Sequence, residues 1–359
     1  MCPVPAKDVA IVGLRARTPL GLTPDAAAAA VRGAISVIRQ HPFFVDKAGE
    51  PMMMACDAVL SPELDGTDRY VQLARTALRQ ALQPLTGRQL AGQIVPAIVG
   101  LPEERPGRSR DLEAVLADDL IATAHELGIS LRVQTLPSGH SAGLMALEAA
   151  VARIRSGEIP ICLVGGVDSY IQGETLEWLD ENRQLMSAAN RSGFPPGEAA
   201  GFCLLASSSF ASAASLDPLA HVATVSRSFE KHQIKTDTIC IGEGLSAAIR
   251  GACGPLDRAR GPVEQTWCDL NGERYRSTEY TYAVLRHWQL FKTAQVAHPA
   301  DCWGDVGAAS GPLFAALAIA GWTRGYAKGR RALLWAGSES GYRAAAVLEQ
   351  VDGRTRVAP

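Results

Sequence analysis

The stretch SGHSAGLMALEAAVARIRSGEIPICLVGGVDS, residues Ser138 to Ser169, decides the architecture. From Ser141 to Ile154 its side chains are small and apolar almost all round, which predicts a helix buried on most sides rather than a surface helix. The polar turn Arg155-Ser156-Gly157 leads into Ile161–Val164, a continuous apolar run closed by Gly165-Gly166, and strands this uniformly apolar belong to sheets covered on both faces. The scheme recurs downstream. Val306–Ala320 reads as a second Gly/Ala-rich apolar helix, Arg324–Arg331 as a basic turn, and Ala332–Ala336 as a strand ending at Gly337. An approximate duplication follows, with its junction in the Ser- and Ala-rich stretch Ser207–Asp217, giving an N-terminal half 1–212 and a C-terminal half 213–359.

Outward from this stretch, strand and helix patterns alternate, an α/β arrangement. Val9–Val12 is a strand. Thr23-Pro24-Asp25 before Ala26–Val31 places a capping Thr and a first-turn Pro at a helix start. Asp68–Leu82 carries Val71, Ala74, Leu78 and Leu82 on one helical face, and Ile94–Val99 is a further strand.

The 359 residues, 47% hydrophobic and 20% charged, have ample length for a large core. A formal net charge of −2 gives no electrostatic reason to expect nucleic acid or an anionic membrane as partner. The eight cysteines contain no Cys-x-x-Cys pair, so neither a zinc ribbon nor a redox motif is expected, and no cofactor or metal site is read. His298-Pro-Ala-Asp301-Cys302 offers three ligand types but no second half. The first residues lack the pattern of a signal peptide, and the apolar run Pro312–Trp322 is shorter than the ~20 residues of a membrane span, so a cytoplasmic location is expected. Trp267, Trp288, Trp303 and Trp335 are expected to fill the seam between the halves.

Four further segments make the pattern specific: VAIVGLRARTPLG (Val9–Gly21), GEAAGFCLLAS (Gly197–Ser207), DLNGERYRSTE (Asp269–Glu279) and WGDVGAASG (Trp303–Gly311). With Ser138–Ser169 and AGSESGYRAAAVLEQ (Ala336–Gln350), they resemble, in order and over nearly the whole chain, the β-ketoacyl synthase branch of the thiolase superfamily. The resemblance implies a five-layered αβαβα fold of two duplicated halves, dimeric, with a site where the halves meet.

It also implies lost chemistry. Condensation in that family uses a thiolate at the N-terminus of a buried helix, where the dipole lowers the thiol pKa and backbone N–H groups hold the oxyanion. The matching position here is His140. The first of the family's two histidines, opening HGTGT, corresponds to Asn271; the second, in GHxxxAAG, corresponds to Asp305. A carboxylate beside a developing enolate repels it where an imidazole would stabilise it. The threonines that hydrogen-bond the phosphopantetheine arm correspond to Glu273 and Tyr275, which would obstruct that tunnel. The lysine of the Lys-Ser segment falls at Ala300, and the gating-loop Phe near Glu339.

One reading makes His140, Asn271 and Asp305 polar groups that satisfy one another in a refilled pocket. In the other, His140 and Asp305 form a new acid/base pair, with His140 kept neutral by the helix terminus. A rival motif is Gly139-His140-Ser141-Ala142-Gly143, a G-x-S-x-G pentapeptide with Ser141 as nucleophile; Pro137, unsuited to a central strand, speaks against the strand that such an elbow follows. The expectation is therefore a dimeric scaffold without condensing activity. Its partners would be a second copy, a ketosynthase homologue, an acyl carrier protein, or a type VI secretion effector or its adaptor. The enzymatic alternative is a residual acyltransferase, decarboxylase or hydrolase acting on acyl thioesters.

Overall fold

The computed structural model describes residues 8–88, 93–234 and 236–352, and the two halves build one motif twice. The first half contributes β1 (Val9–Arg17), α1 (Pro24–Arg32), β2 (Arg39–Val45), β3 (Pro51–Met54), α2 (Gly66–Leu82), β4 (Val95–Leu101), α3 (Leu112–His125), β5 (Leu131–Pro137), α4 (Ala142–Ser156), β6 (Ile161–Ser169), α5 (Gly173–Glu181), β7 (Glu198–Ser207) and α6 (Ser208–Ala213). The second contributes β8 (Ala220–Phe229), α7 (Glu243–Arg260), β9 (Gln265–Cys268), α8 (Arg274–His287), α9 (Ala300–Trp303), α10 (Ser310–Thr323), β10 (Arg331–Gly337) and β11 (Tyr342–Gln350).

The main sheet runs β5-β4-β6-β7-β1-β8-β11-β10-β9. Among the described residues its halves pair through Ala10–His221 and Ile11–Ala220, and each has the same plan on either side of that join. In the first, β4 is parallel to β5 and β6, while β7 runs antiparallel to β6 and β1. In the second, β9 is parallel to β10, while β11 runs antiparallel to β10 and β8.

Period-two alternation stacks the layers. Along β7, Phe202 and Leu204 join a cluster with Leu73 and Leu78 of α2 and Leu116 of α3, whereas Cys203 and Leu205 face the opposite way, into a cluster holding α4 and α10. Along β10, Leu334 and Ala336 enter that same central cluster, while Leu333 and Trp335 pack with Leu245 of α7 and Tyr280 of α8. Two outer helix layers, two sheet halves and one central helix layer make the αβαβα sandwich that the resemblance implies. It also explains why α10 buries every residue from Ser310 to Trp322: it lies between two sheets.

The two central helices cross at glycines in equivalent places. A Cβ on Gly143 would lie 2.6 Å from Pro312, and one on Gly311 would lie 2.8 Å from the Leu144 backbone nitrogen. Each helix is preceded by a 3-10 turn, Gly139–Ser141 or Gly307–Ala309, opened by a glycine in the left-handed region (φ 64° and 47°). The second helix therefore starts at Ser310, not at Val306 as its apolar pattern suggests; the Asp305 carboxylate accepts from Gly307 N–H (2.8 Å) and Asp168 from Ala308 N–H (2.9 Å), fixing the turn. Gly166 lies against it, and a Cβ there would sit 2.1 Å from the Ala308 carbonyl oxygen. Because that neighbour is backbone, Gly166→Ala is expected to cost about 1–3 kcal/mol by overpacking, read as a lowered urea midpoint.

Other local expectations hold or shift for physical reasons. Thr23 caps α1, its hydroxyl accepting from Ala26 N–H, with Pro24 in the first turn. Trp303 lies in the central cluster, but Trp335 belongs to the outer one and Trp288 is 71% exposed, so the four tryptophans do not share a seam. Among the described residues no helix is long and apolar enough to cross a membrane.

Candidate active site

The fold brings His140, from the turn before α4, to Asp305, from the turn before α10. Nε2 of His140 lies 2.9 Å from each Asp305 carboxylate oxygen, with both side chains buried. Asn271, in the loop after β9, donates to Asp305 Oδ2 (2.6 Å), and its own Oδ1 accepts from Glu273 N–H (3.0 Å). Asn271 Nδ2 also reaches Glu273 Oε2 (3.1 Å). Three positions singled out by sequence thus form one contiguous knot, and Glu273 joins it.

The cation that holds the knot together is Arg276, a residue sequence reading did not select. Its Nε donates to Glu273 (3.1 Å) and one terminal nitrogen to both Asp269 (2.7 Å) and the Gly337 carbonyl (2.6 Å). The other terminal nitrogen faces the His140 ring, 3.2 Å from Nε2. A signal was present: DLNGERYR contains two acids, and their burial together demands a fixed counter-charge close by in sequence. Asp269 also accepts from Gly337 N–H (2.8 Å); burial raises its pKa, with Arg276 opposing.

His140 corrects one expectation. The helix terminus was expected to keep its ring neutral, yet its pKa is raised: burial, the largest single influence, and Arg276 pull it down, while the Asp305 carboxylate at 2.9 Å and Asp269 push it up. Burial likewise works against the Asp305 charge, and His140, Arg276 and Asn271 together hold its pKa well below the usual carboxylate range. Each member of the pair favours the charged form of the other.

Ser141 is also buried, and its hydrogen bonds run to serines and Met145. Its hydroxyl lies 2.7 Å from that of Ser338, which donates to the Ser138 carbonyl, and Ser141 N–H donates to Ser338 Oγ (2.9 Å). The strand before it does run to Pro137, because β5 is the sheet edge where proline is tolerated. A strand, turn and helix follow one another there, but Ser141 has ordinary right-handed helical φ (−76°) and is fully buried, so it is not the strained, exposed serine of an elbow; among the described residues no histidine bonds it, and His298 pairs with Asp301 in a different part of the fold.

Gln184 reaches Glu273 Oε1 (3.2 Å) and also Glu339, tying the last of the predicted residues to the knot from outside. Tyr275 lies beside it with its ring centroid 5.0 Å from the Arg276 guanidinium carbon. The open space beside His140 is a cavity of about 110 Å³, bounded by Glu103, Arg105, Tyr170, Trp178 and Glu339. Sites for organic ligands usually offer roughly 300–1,000 Å³. No described cysteine lines it. Burial pushes the thiols of Cys162 and Cys203 up to about 12, and burial with Glu198 does the same to Cys56.

Residues 121–211 match the family model for the β-ketoacyl synthase N-terminal domain. No curated protein matches the sequence. Among solved structures, the ishigamide ketosynthase/chain length factor superposes with a TM-score of 0.80 at 19% identity, covering 96% of this chain and 100% of that one. AntDE:AntF, a type II polyketide synthase acyl-carrier protein in complex with its ketosynthase, gives 0.80 at 16% identity over 97% and 100%. A β-ketoacyl synthase from Burkholderia phymatum STM815 gives 0.75 at 15% identity over 96% and 100%. The chain has the fold of these ketosynthases, and within it His140, Asp305, Asn271 and Arg276 form a buried knot.

Proposed function

We propose that this protein is a non-condensing partner built on the ketosynthase fold, one that dimerises with a ketosynthase homologue or with itself and meets an acyl carrier protein. The carrying observation is the His140–Asp305 pair at 2.9 Å, in the place where condensation needs a free thiolate. The ring already faces Asp305 and Arg276, and three acids around one arginine and one histidine disfavour any developing enolate. The cavity of about 110 Å³ beside His140 is smaller than the roughly 300–1,000 Å³ that organic-ligand sites usually offer. The similarity to structures described as ketosynthase/chain length factor, and to a ketosynthase in complex with its acyl-carrier protein, supports the choice of partners.

Purified protein incubated with malonyl- and acyl-carrier thioesters is expected to release neither carbon dioxide nor free thiol and to gain no mass. Turnover or an adduct that disappears in His140→Ala overturns the reading. A tagged chain recovered from its own cells is expected to bring down a ketosynthase or an acyl carrier protein, identified by mass spectrometry. A folded sample that recovers neither rejects the proposed partners.

A further inference from the structure

Three of the four most exposed large apolar side chains among the described residues belong to one neighbourhood of the second half: Ile239 (83%), Trp288 (71%) and Leu285 (67%). Leu285 lies in the last turn of α8, and Trp288 opens the 3-10 turn Trp288–Leu290 that follows it. The loop carrying Ile239 is pinned to the same helix, because Arg286 donates to the Ile241 carbonyl (2.6 Å) and the Cys240 thiol to Glu279 (3.2 Å). Folding rewards the burial of such side chains, so a cluster of them left in water marks an interaction surface.

The charges around them have one sign in excess. From Arg274 to Lys292 the exposed charged residues are Arg274, Arg286 and Lys292, while the acid of α8, Glu279, is buried against Arg343. Arg250 of the adjoining α7 is exposed too, and none of these cations forms an ion pair among the described residues. Arg286 donates to the carbonyls of Ile241 and Gly242 and to the Ser246 hydroxyl, and Arg274 to the Ser192 hydroxyl. Against them stand Glu243 at the start of α7 and Asp237 in the loop. The half-buried His287 ring records the imbalance: burial first, then Arg250 and Arg286, lower its pKa, with no carboxylate opposing.

An apolar centre edged by unpaired guanidinium groups is the anatomy of a protein contact surface, where Trp and Arg carry much of the binding energy. The neighbourhood consists of helix and loop, so an element docking there satisfies its own backbone hydrogen bonds, as a helix does. We propose that the C-terminal end of α8 docks an acidic amphipathic helix of a partner protein, whose apolar side chains cover Leu285, Trp288 and Ile239 while its carboxylates meet Arg250 and Arg286. Leu285 lies about 13 Å along the helix axis from Arg276, so the surface can be altered without touching the His140 knot.

The probe is a synthetic peptide of about 18 residues with a Leu stripe at helical spacing, Glu flanking the stripe and Ala on the far face. The same peptide with Lys in place of Glu is the control. Acrylamide quenching of the full chain reads Trp288, because Trp303, Trp322 and Trp335 are buried. Saturable protection by the acidic peptide is expected, weakening as salt rises from about 50 to 300 mM, with none from the basic peptide. By calorimetry, Trp288→Ala should raise the peptide Kd roughly tenfold or more and Arg250→Glu about threefold or more, with the melting temperature unchanged in both. Absence of saturable binding to the wild type overturns the proposal, as does equal binding of the basic peptide or undiminished affinity in a folded Trp288→Ala protein. Self-association of the wild type in sedimentation that Trp288→Ala abolishes also overturns it, by giving this face to a second copy of the chain.

Discussion

Replacing Asp305 with alanine is expected to cost the protein about 3–5 kcal/mol, the range for stranding one member of a buried ion pair. The carboxylate accepts from His140, Asn271 and Gly307 N–H, so its removal leaves a buried imidazole facing Arg276 and an unbonded N–H in the turn that starts α10. A urea titration measures the loss. The double variant Asp305→Leu with His140→Phe removes both charges and should recover part of it; a double variant no more stable than the single would sink the idea that the stranded charge is the cause. The pair also sets a pH signature. His140 has its folded pKa raised above 6.5, so its contribution is complete below pH 6.5 and fades as pH rises through the folded value. Asp305 has its folded pKa depressed below 3.8, so its contribution is complete above 3.8 and is lost only as pH falls toward the folded value. The stability difference between wild type and His140→Phe should therefore be greatest between about pH 4 and 6.5 and shrink on the alkaline side. A difference that grows with pH above 6.5 contradicts the assigned direction.

How much of this could be read beforehand depended on the range of the forces involved. The central layer was legible because an apolar surface all round a helix is a local property of Ser141–Ile154, and its recurrence near Pro312–Trp322 exposes the duplication. The start of α10 was not, since its turn is fixed by Asp168, which lies 140 residues away in sequence. The same limit inverted the His140 pKa. A helix terminus is visible locally, whereas the carboxylate that raises the value lies 165 residues downstream. Alignment to the ketosynthase pattern placed His140, Asn271 and Asp305 together, but no family position pointed to Arg276. Pro137 shows the converse error: whether a proline tolerates its strand depends on that strand being an edge, which strand order decides and sequence does not.

Glu198→Ala is expected to be at least as damaging as Asp305→Ala, because the stranded group is then a guanidinium that cannot shed its charge. Glu198, at the start of β7, is fully buried and takes both forks of Arg69 from α2 (2.5 and 2.7 Å), the Asp57 N–H (2.7 Å) and the Ser169 hydroxyl (2.9 Å). Asp57 in turn holds Arg17 (2.6 Å), and Arg69 also donates to the carbonyls of Ser61 (3.0 Å) and Leu64 (2.6 Å). One carboxylate therefore ties the loop around Asp57, the end of β6 and α2 together. Its loss should cost about 3–5 kcal/mol or more, and Arg69→Met with Glu198→Leu should recover a large part. A second readout separates lost charge from general loosening. Burial is the main reason the Cys56 thiol is pushed up to about 12, and the Glu198 charge adds to it. In Glu198→Gln, which keeps the shape, alkylation of Cys56 at pH 8 should speed up while Cys203, whose shift comes from burial alone, stays unreactive. Equal acceleration at both thiols would mean that the protein has simply opened, and the electrostatic account of this network would fail.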